Sequence, residues 1–89
     1  MSEGASMNMR EELEFYRYLK SKQLSDLTVR NYMSALRYLL REFEHLPSEE
    51  EVRARFWSES ASKRTRLLAS LRNYREFLER KNNGGRKHA

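Results

Sequence analysis

Apolar residues recur along this chain at three- and four-residue intervals, and nowhere do they alternate in the manner of a half-buried strand. Met9, Leu13, Tyr16 and Leu19 form a helical series with Phe15 and Tyr18 beside them. Asn8 stands before the series as an N-cap, and Glu11 three positions on completes a capping box. The pattern predicts a first helix to about Lys22. Leu24 and Ser25 make the next turn, and Ser25 is a good N-cap for a second helix from Asp26 to about Glu44. There Val29, Tyr32, Met33, Leu36, Leu39, Leu40 and Phe43 fall within roughly 120° of arc at 100° per residue. Arg30, Ser34, Arg37 and Arg41 lie opposite, with Thr28, Asn31 and Tyr38 on the flanks.

Pro47 and Ser48 stop that helix and start another. Ser48-Glu49-Glu50-Glu51 reads as a capping box for a short third helix to about Trp57, which buries Val52 and either Phe56 or Trp57. A polar joint, Ser58 to Ser62, supplies Ser60 or Ser62 as cap for a fourth helix to about Lys81. Its apolar arc is Leu67, Leu71, Tyr74 and Leu78, with Leu68 and Phe77 on the edges; Thr65, Arg66, Ala69, Arg72 and Asn73 form its polar face. Asn82 to Gly85 is the expected stop. No helix is apolar all round, so the four faces must pack on one another. The expectation is an all-α, compact four-helix bundle over residues 8–81, with a loose lead at 1–7 and a flexible basic tail at 82–89. Periodicity assigns Phe15, Tyr16, Tyr32, Phe43, Phe56, Tyr74 and Phe77 to its core. Tyr38 falls outside that arc, among arginines, where its phenol can meet a phosphate or pack on arginine stems.

Composition narrows the function. The 89 residues have room for one domain. No apolar run is long enough to span a membrane, and the first residues lack the basic and apolar regions of a secretory signal. Zero cysteines exclude a disulfide framework, a zinc knuckle and thiol chemistry. The net charge of +5 is unevenly placed. Leu27 to Arg41 holds three arginines and no acid; between Glu59 and Glu76 stand Lys63, Arg64, Arg66, Arg72 and Arg75, again without an acid. Two acid-free helix stretches suit a polyanion. They are also compatible with an ordinary solvated surface.

Catalytic patterns are missing. His45 and His88 are the only histidines, and neither has a helical partner at metal-ligand spacing. There is no phosphate-binding glycine loop and no nucleophile elbow. Glu49 to Glu51 stand at a helix start, where carboxylates serve as caps and complement the dipole. No cofactor and no metal is expected.

Two stretches carry a family likeness. Phe15-Tyr16-Arg17-Tyr18-Leu19-Lys20 followed by Leu24-Ser25-Asp26-Leu27-Thr28-Val29-Arg30-Asn31-Tyr32 resembles the F-x-x-x-L … L-S-x-x-T-x-x-x-Y pattern of phage integrases and Xer-type recombinases. Arg66-Leu67-Leu68-Ala69-Ser70-Leu71-Arg72, continuing to Leu78, is similar to the pattern on the last long helix of the same domain. The likeness covers about residues 10–81 and is to the N-terminal, SAM-like core-binding domain of tyrosine recombinases. It implies half of a clamp on double-stranded DNA, with the second and fourth helices against the major groove. Ser25 and Thr28 match the hydroxyls opening the second helix, Asn31 a DNA-facing polar position, and Arg66 and Arg72 basic positions of the last helix. Helix geometry adds Arg30, Ser34, Arg37, Lys63, Arg64 and Asn73, with Arg64 nearer the apolar edge.

The chain departs from full recombinases in lacking the domain that holds the nucleophilic tyrosine and its Arg/Lys/His set. Ala89 stands where the interdomain linker would begin, and none of the five tyrosines can be assigned as nucleophile. The resemblance therefore implies DNA binding without cleavage. It further implies contacts with other protomers in a full-length synapse, a monomeric isolated domain and a cytoplasmic, nucleoid-associated setting. Two alternatives stay open: a helical protein-interaction module meeting an acidic partner, and a helix-turn-helix repressor, for which the Glu-rich third segment is poorly charged.

Overall fold

Four helices follow one another in a computed structural model that describes residues 7–86, and side chains as far as residue 82: α1 (Met9–Ser21), α2 (Asp26–Phe43), α3 (Glu49–Arg55) and α4 (Ala61–Arg86). No strand occurs among the described residues, and the fold is the all-α four-helix bundle that the periodicity predicts. Residues 1–6 of the expected 1–7 lead and the end of the expected tail, 87–89, lie outside the described residues, whereas Met7 is partly buried and packs against the core.

The caps form as local chemistry dictates. Asn8 Oδ1 accepts the Glu11 N–H at 2.8 Å while Glu11 Oε1 accepts the Asn8 N–H, and Ser48 and Glu51 repeat the exchange at 3.1 and 2.8 Å. Ser25 Oγ takes the Thr28 N–H. Of the two serines open for α4, Ser60 is the cap, its Oγ accepting the Lys63 N–H at 3.2 Å. The α2 C-cap, Glu44, sits in the left-handed region at φ 58°, where a carbon side chain is strained.

α4 does not stop near Lys81 but runs on to Arg86, through Asn82 and both glycines. Nucleation is the costly step of helix formation; extending an existing helix costs only propensity, about 1 kcal/mol for a glycine against alanine. No described glycine adopts the positive φ that would turn the chain away.

α2 and α4 form the central pair. Ser70 is completely buried between them and donates to the Tyr32 carbonyl at 2.6 Å, so the backbones approach closely. On one side of the pair, Phe15 and Leu19 of α1 pack with Val29, Met33, Leu36, Tyr74 and Phe77. On the other, Val52 of α3 and Phe56 pack with Ala35, Leu39, Leu67, Leu68 and Leu71.

Two expectations about faces, for α1 and for Tyr38, are corrected, and the open choice between Phe56 and Trp57 is settled. α1 buries Phe15 and Leu19, whereas Met9 (85%), Leu13 (49%) and Tyr16 (43%) stay exposed. Apolar residues surround most of this helix, and the aromatic cluster of Phe15 with Tyr74 and Phe77, centroids 5.2 and 5.4 Å away, decides which side turns inward. Phe56, not Trp57, is the buried ring after α3; Trp57 is 77% exposed. Tyr38 is half-buried, with its ring 5.7 Å from Phe56 rather than out among arginines.

Candidate nucleic-acid interface

A cleft runs between α2 and the first turns of α4, built by residues three and four apart on each helix. Its α2 wall is Thr28, Asn31, Ser34 and Tyr38; its α4 wall is Ser62, Lys63, Thr65, Arg66 and Ala69. Two adjoining hollows share Asn31, Ser62 and Arg66 at their junction. Small residues on the α4 side, Ser62 and Ala69, leave the space open. Ser25 stands at the foot of the α2 wall, where its hydroxyl donates to Thr28 Oγ1 at 2.9 Å.

The lining supplies hydrogen-bond donors and positive charge, with no carboxylate among those residues. Arg66 is exposed and makes no ion pair with any described residue. Lys63 sits 5.3 Å from the Tyr38 ring centroid and 3.5 Å from a Glu59 oxygen. Such an exposed i, i+4 pair is worth a few tenths of a kcal/mol and is easily exchanged for another anion. Thr28, Asn31, Ser34, Lys63 and Arg66 are thus gathered on one surface, together with Ser25 at its foot.

The other residues singled out by sequence lie elsewhere. Arg30 and Arg37 flank α1, around a hollow shared with Tyr16, Asp26 and Met33, because about 100° of helix separates Arg30 from Asn31. Arg37 grips Glu12 through Nε and Nη2 at 3.3 and 3.0 Å. Arg72, about 120° around α4 from Arg66, grips Glu49 of α3 at 2.8 and 3.0 Å. That bidentate pair holds the Glu49 carboxyl below its ordinary range and pushes Arg72 up. Arg64 turns back under the α3–α4 joint, its Nη1 donating to the carbonyls of Phe56, Trp57 and Glu59. Asn73 donates to the Ala69 carbonyl and accepts from Lys22 Nζ at 2.6 Å.

Lys22 is a residue the sequence reading missed. It caps the end of α1 and reaches α4, meeting Glu76 at 2.8 Å, which also accepts from the Tyr18 hydroxyl. Glu76 is held low by Lys22, and Lys22 is raised in return. The cationic run Arg17, Lys20, Lys22 was the available signal, but it precedes the two acid-free stretches.

Among the described residues no cluster of three His, Asp or Glu side chains could hold a metal ion, and no helix is long and apolar enough to cross a membrane. Set against known proteins, the chain matches no family model, no curated protein and no solved structure.

Proposed function

We propose that this domain binds duplex DNA through the α2–α4 cleft, as the sequence likeness to recombinase core-binding domains implies, and that it acts without cleaving it. The observation that carries the reading is the gathering of Thr28, Asn31, Ser34, Lys63 and Arg66, from both helices, on one surface without a carboxylate in its lining. Arginine suits bidentate contact with guanine or phosphate, an asparagine amide can donate and accept at once, and hydroxyls take phosphate oxygens. The separate placement of Arg30, Arg37 and Arg72 makes them secondary contacts at the margins.

Fluorescence anisotropy with a labelled duplex tests this. At low salt the Kd is expected near the usual non-specific range of about 10⁻⁴–10⁻⁶ M, weakening steeply as salt rises. Replacing Lys63 and Arg66 together by alanine should lower the affinity about tenfold or more and reduce the salt slope by nearly two. Unchanged binding in that double variant, or no salt-sensitive binding in the parent, refutes the reading.

A second reading, a protein-interaction module, draws on the exposed Met9, Leu13 and Tyr16 along α1. It is favoured if a defined protein complex is lost on Leu13→Glu while duplex DNA produces no response.

A further inference from the structure

Trp57 is the only tryptophan of the chain, and it is 77% exposed. The turn that displays it is not loose. The Glu59 N–H donates to the Phe56 carbonyl at 3.0 Å. Nη1 of Arg64 meets the carbonyls of Phe56, Trp57 and Glu59 at 3.3, 2.9 and 2.5 Å. Phe56 below is buried and anchors the turn in the core. One guanidinium therefore gathers three carbonyls of the turn that follows α3 and holds the Trp57 backbone in place.

That turn leads directly into the cleft. Three residues on, Ser60 caps α4, and Ser60, Ser62 and Lys63 line the Tyr38 end of the hollow. Between Arg53 and Arg66 the chain carries five bases and one acid, Glu59. An indole offers a broad apolar face and one N–H donor, and a backbone held in advance removes part of the ordering cost of such a contact.

We infer that Trp57 is a contact with the same duplex beyond the cleft, its ring packing on the sugar–phosphate backbone and its indole N–H donating to a phosphate oxygen. This rests on the DNA reading of the α2–α4 cleft. Such a contact fixes orientation on the duplex and carries no sequence information. It also assigns Arg64 a part in DNA binding without touching DNA, as the residue that positions Trp57.

The full chain, titrated with a mixed-sequence duplex at low salt, supplies two independent readouts. One is Trp57 emission, which reports a single site because there is no other tryptophan. The other is the set of backbone amide shifts at Asn31, Ser34 and Arg66. The expected result is a change in emission that saturates in step with the amide shifts. Trp57→Ala is expected to weaken binding about fivefold, and Trp57→Phe to recover part of the loss. Because the ring is exposed and the Arg64 acceptors are backbone carbonyls, both variants should keep the parent's circular dichroism. Amide shifts in the cleft with Trp57→Ala binding within twofold of the parent overturn the Trp57 contact and leave the cleft reading standing. Absence of both amide shifts and emission change overturns the two together.

Discussion

Arg64 and Arg66 are two residues apart on α4, yet they are used in opposite ways. Arg66 faces the cleft with no carboxylate among the described residues to hold it, whereas an Arg64 nitrogen is committed to three carbonyls at the α3–α4 joint. Both are basic positions on the same helix; spacing puts Arg64 nearer the apolar edge but cannot name its partners, because the acceptors that claim it belong to a turn whose position depends on α3. Leu13 and Leu19 make the same point for apolar residues. They share the helical series of α1, but Leu19 is fully enclosed and Leu13 half exposed. Leu19→Ala should cost about 2–5 kcal/mol, from lost transfer energy and a residual cavity. Leu13→Ala should cost no more than about 0.5 kcal/mol, the size of an ordinary surface change. Urea denaturation of the two variants compares them directly, and similar losses would contradict the observed orientation of α1.

At the scale of elements, the separation of α2 and α4 governs the site, since the cleft lies between them. Ser70 stands between the two helices. Its side chain has no exposed surface and donates to the Tyr32 carbonyl of α2. Ser70→Ala should lower stability by about 0.5–1.5 kcal/mol, the net worth of one such bond, and leave the cleft intact. Ser70→Leu should cost more, about 1–3 kcal/mol, because the larger side chain must push the helices apart. Only the second substitution should move the amide resonances of Asn31 and Arg66, and chemical-shift mapping distinguishes the two. A serine inside an otherwise polar-flanked apolar arc is visible in the sequence as an anomaly; that it stands between the two helices becomes apparent only when α2 is laid against it. That Asn31, Ser34, Lys63 and Arg66 are polar positions outside the apolar arcs of α2 and α4 was legible, because each helix's outward face is set by its own period. Arg37 and Arg72 were legible as exposed but not as paired, because Glu12 and Glu49 come from helices whose packing no local pattern specifies.

Across the whole molecule, ion pairs tie the helices at their edges. Lys81 holds Glu14, Lys20 holds Asp26, Arg72 holds Glu49, and Lys22 holds Glu76; the Ser48 N–H with His45 does the same for Glu51. All five carboxyls titrate below their ordinary values in the folded chain. A lowered folded pKa contributes stability that is present above the unfolded value and lost as pH falls through the folded one. At the other end, Lys20 and Lys22 are raised by Asp26 and Glu76, and burial raises Tyr18. Their contribution is present below their unfolded values, near 10, and disappears above them. Thermal stability followed by circular dichroism should therefore be level from about pH 5 to 9 and decline on both sides. Glu49→Gln together with Glu76→Gln should flatten the acid decline. An equally steep decline in that variant would show that these pairs do not carry it.

The number of helices, the starts of the first three and the outer faces of α2 and α4 follow from the sequence by itself. They rest on interactions within three or four residues: a cap oxygen on a nearby N–H, an apolar side chain one turn from the next, a proline after a helix end. Which side of α1 turns inward, whether Phe56 or Trp57 enters the core, and which arginines face the cleft rather than a carboxylate were decided by tertiary structure. Each of those choices compares contacts with residues far along the chain: Phe15 against Tyr74 and Phe77, Phe56 against Leu67 and Leu71, Arg72 against Glu49. Local pattern leaves such alternatives nearly equal in energy, and one close-packed arrangement of rings and ion pairs separates them.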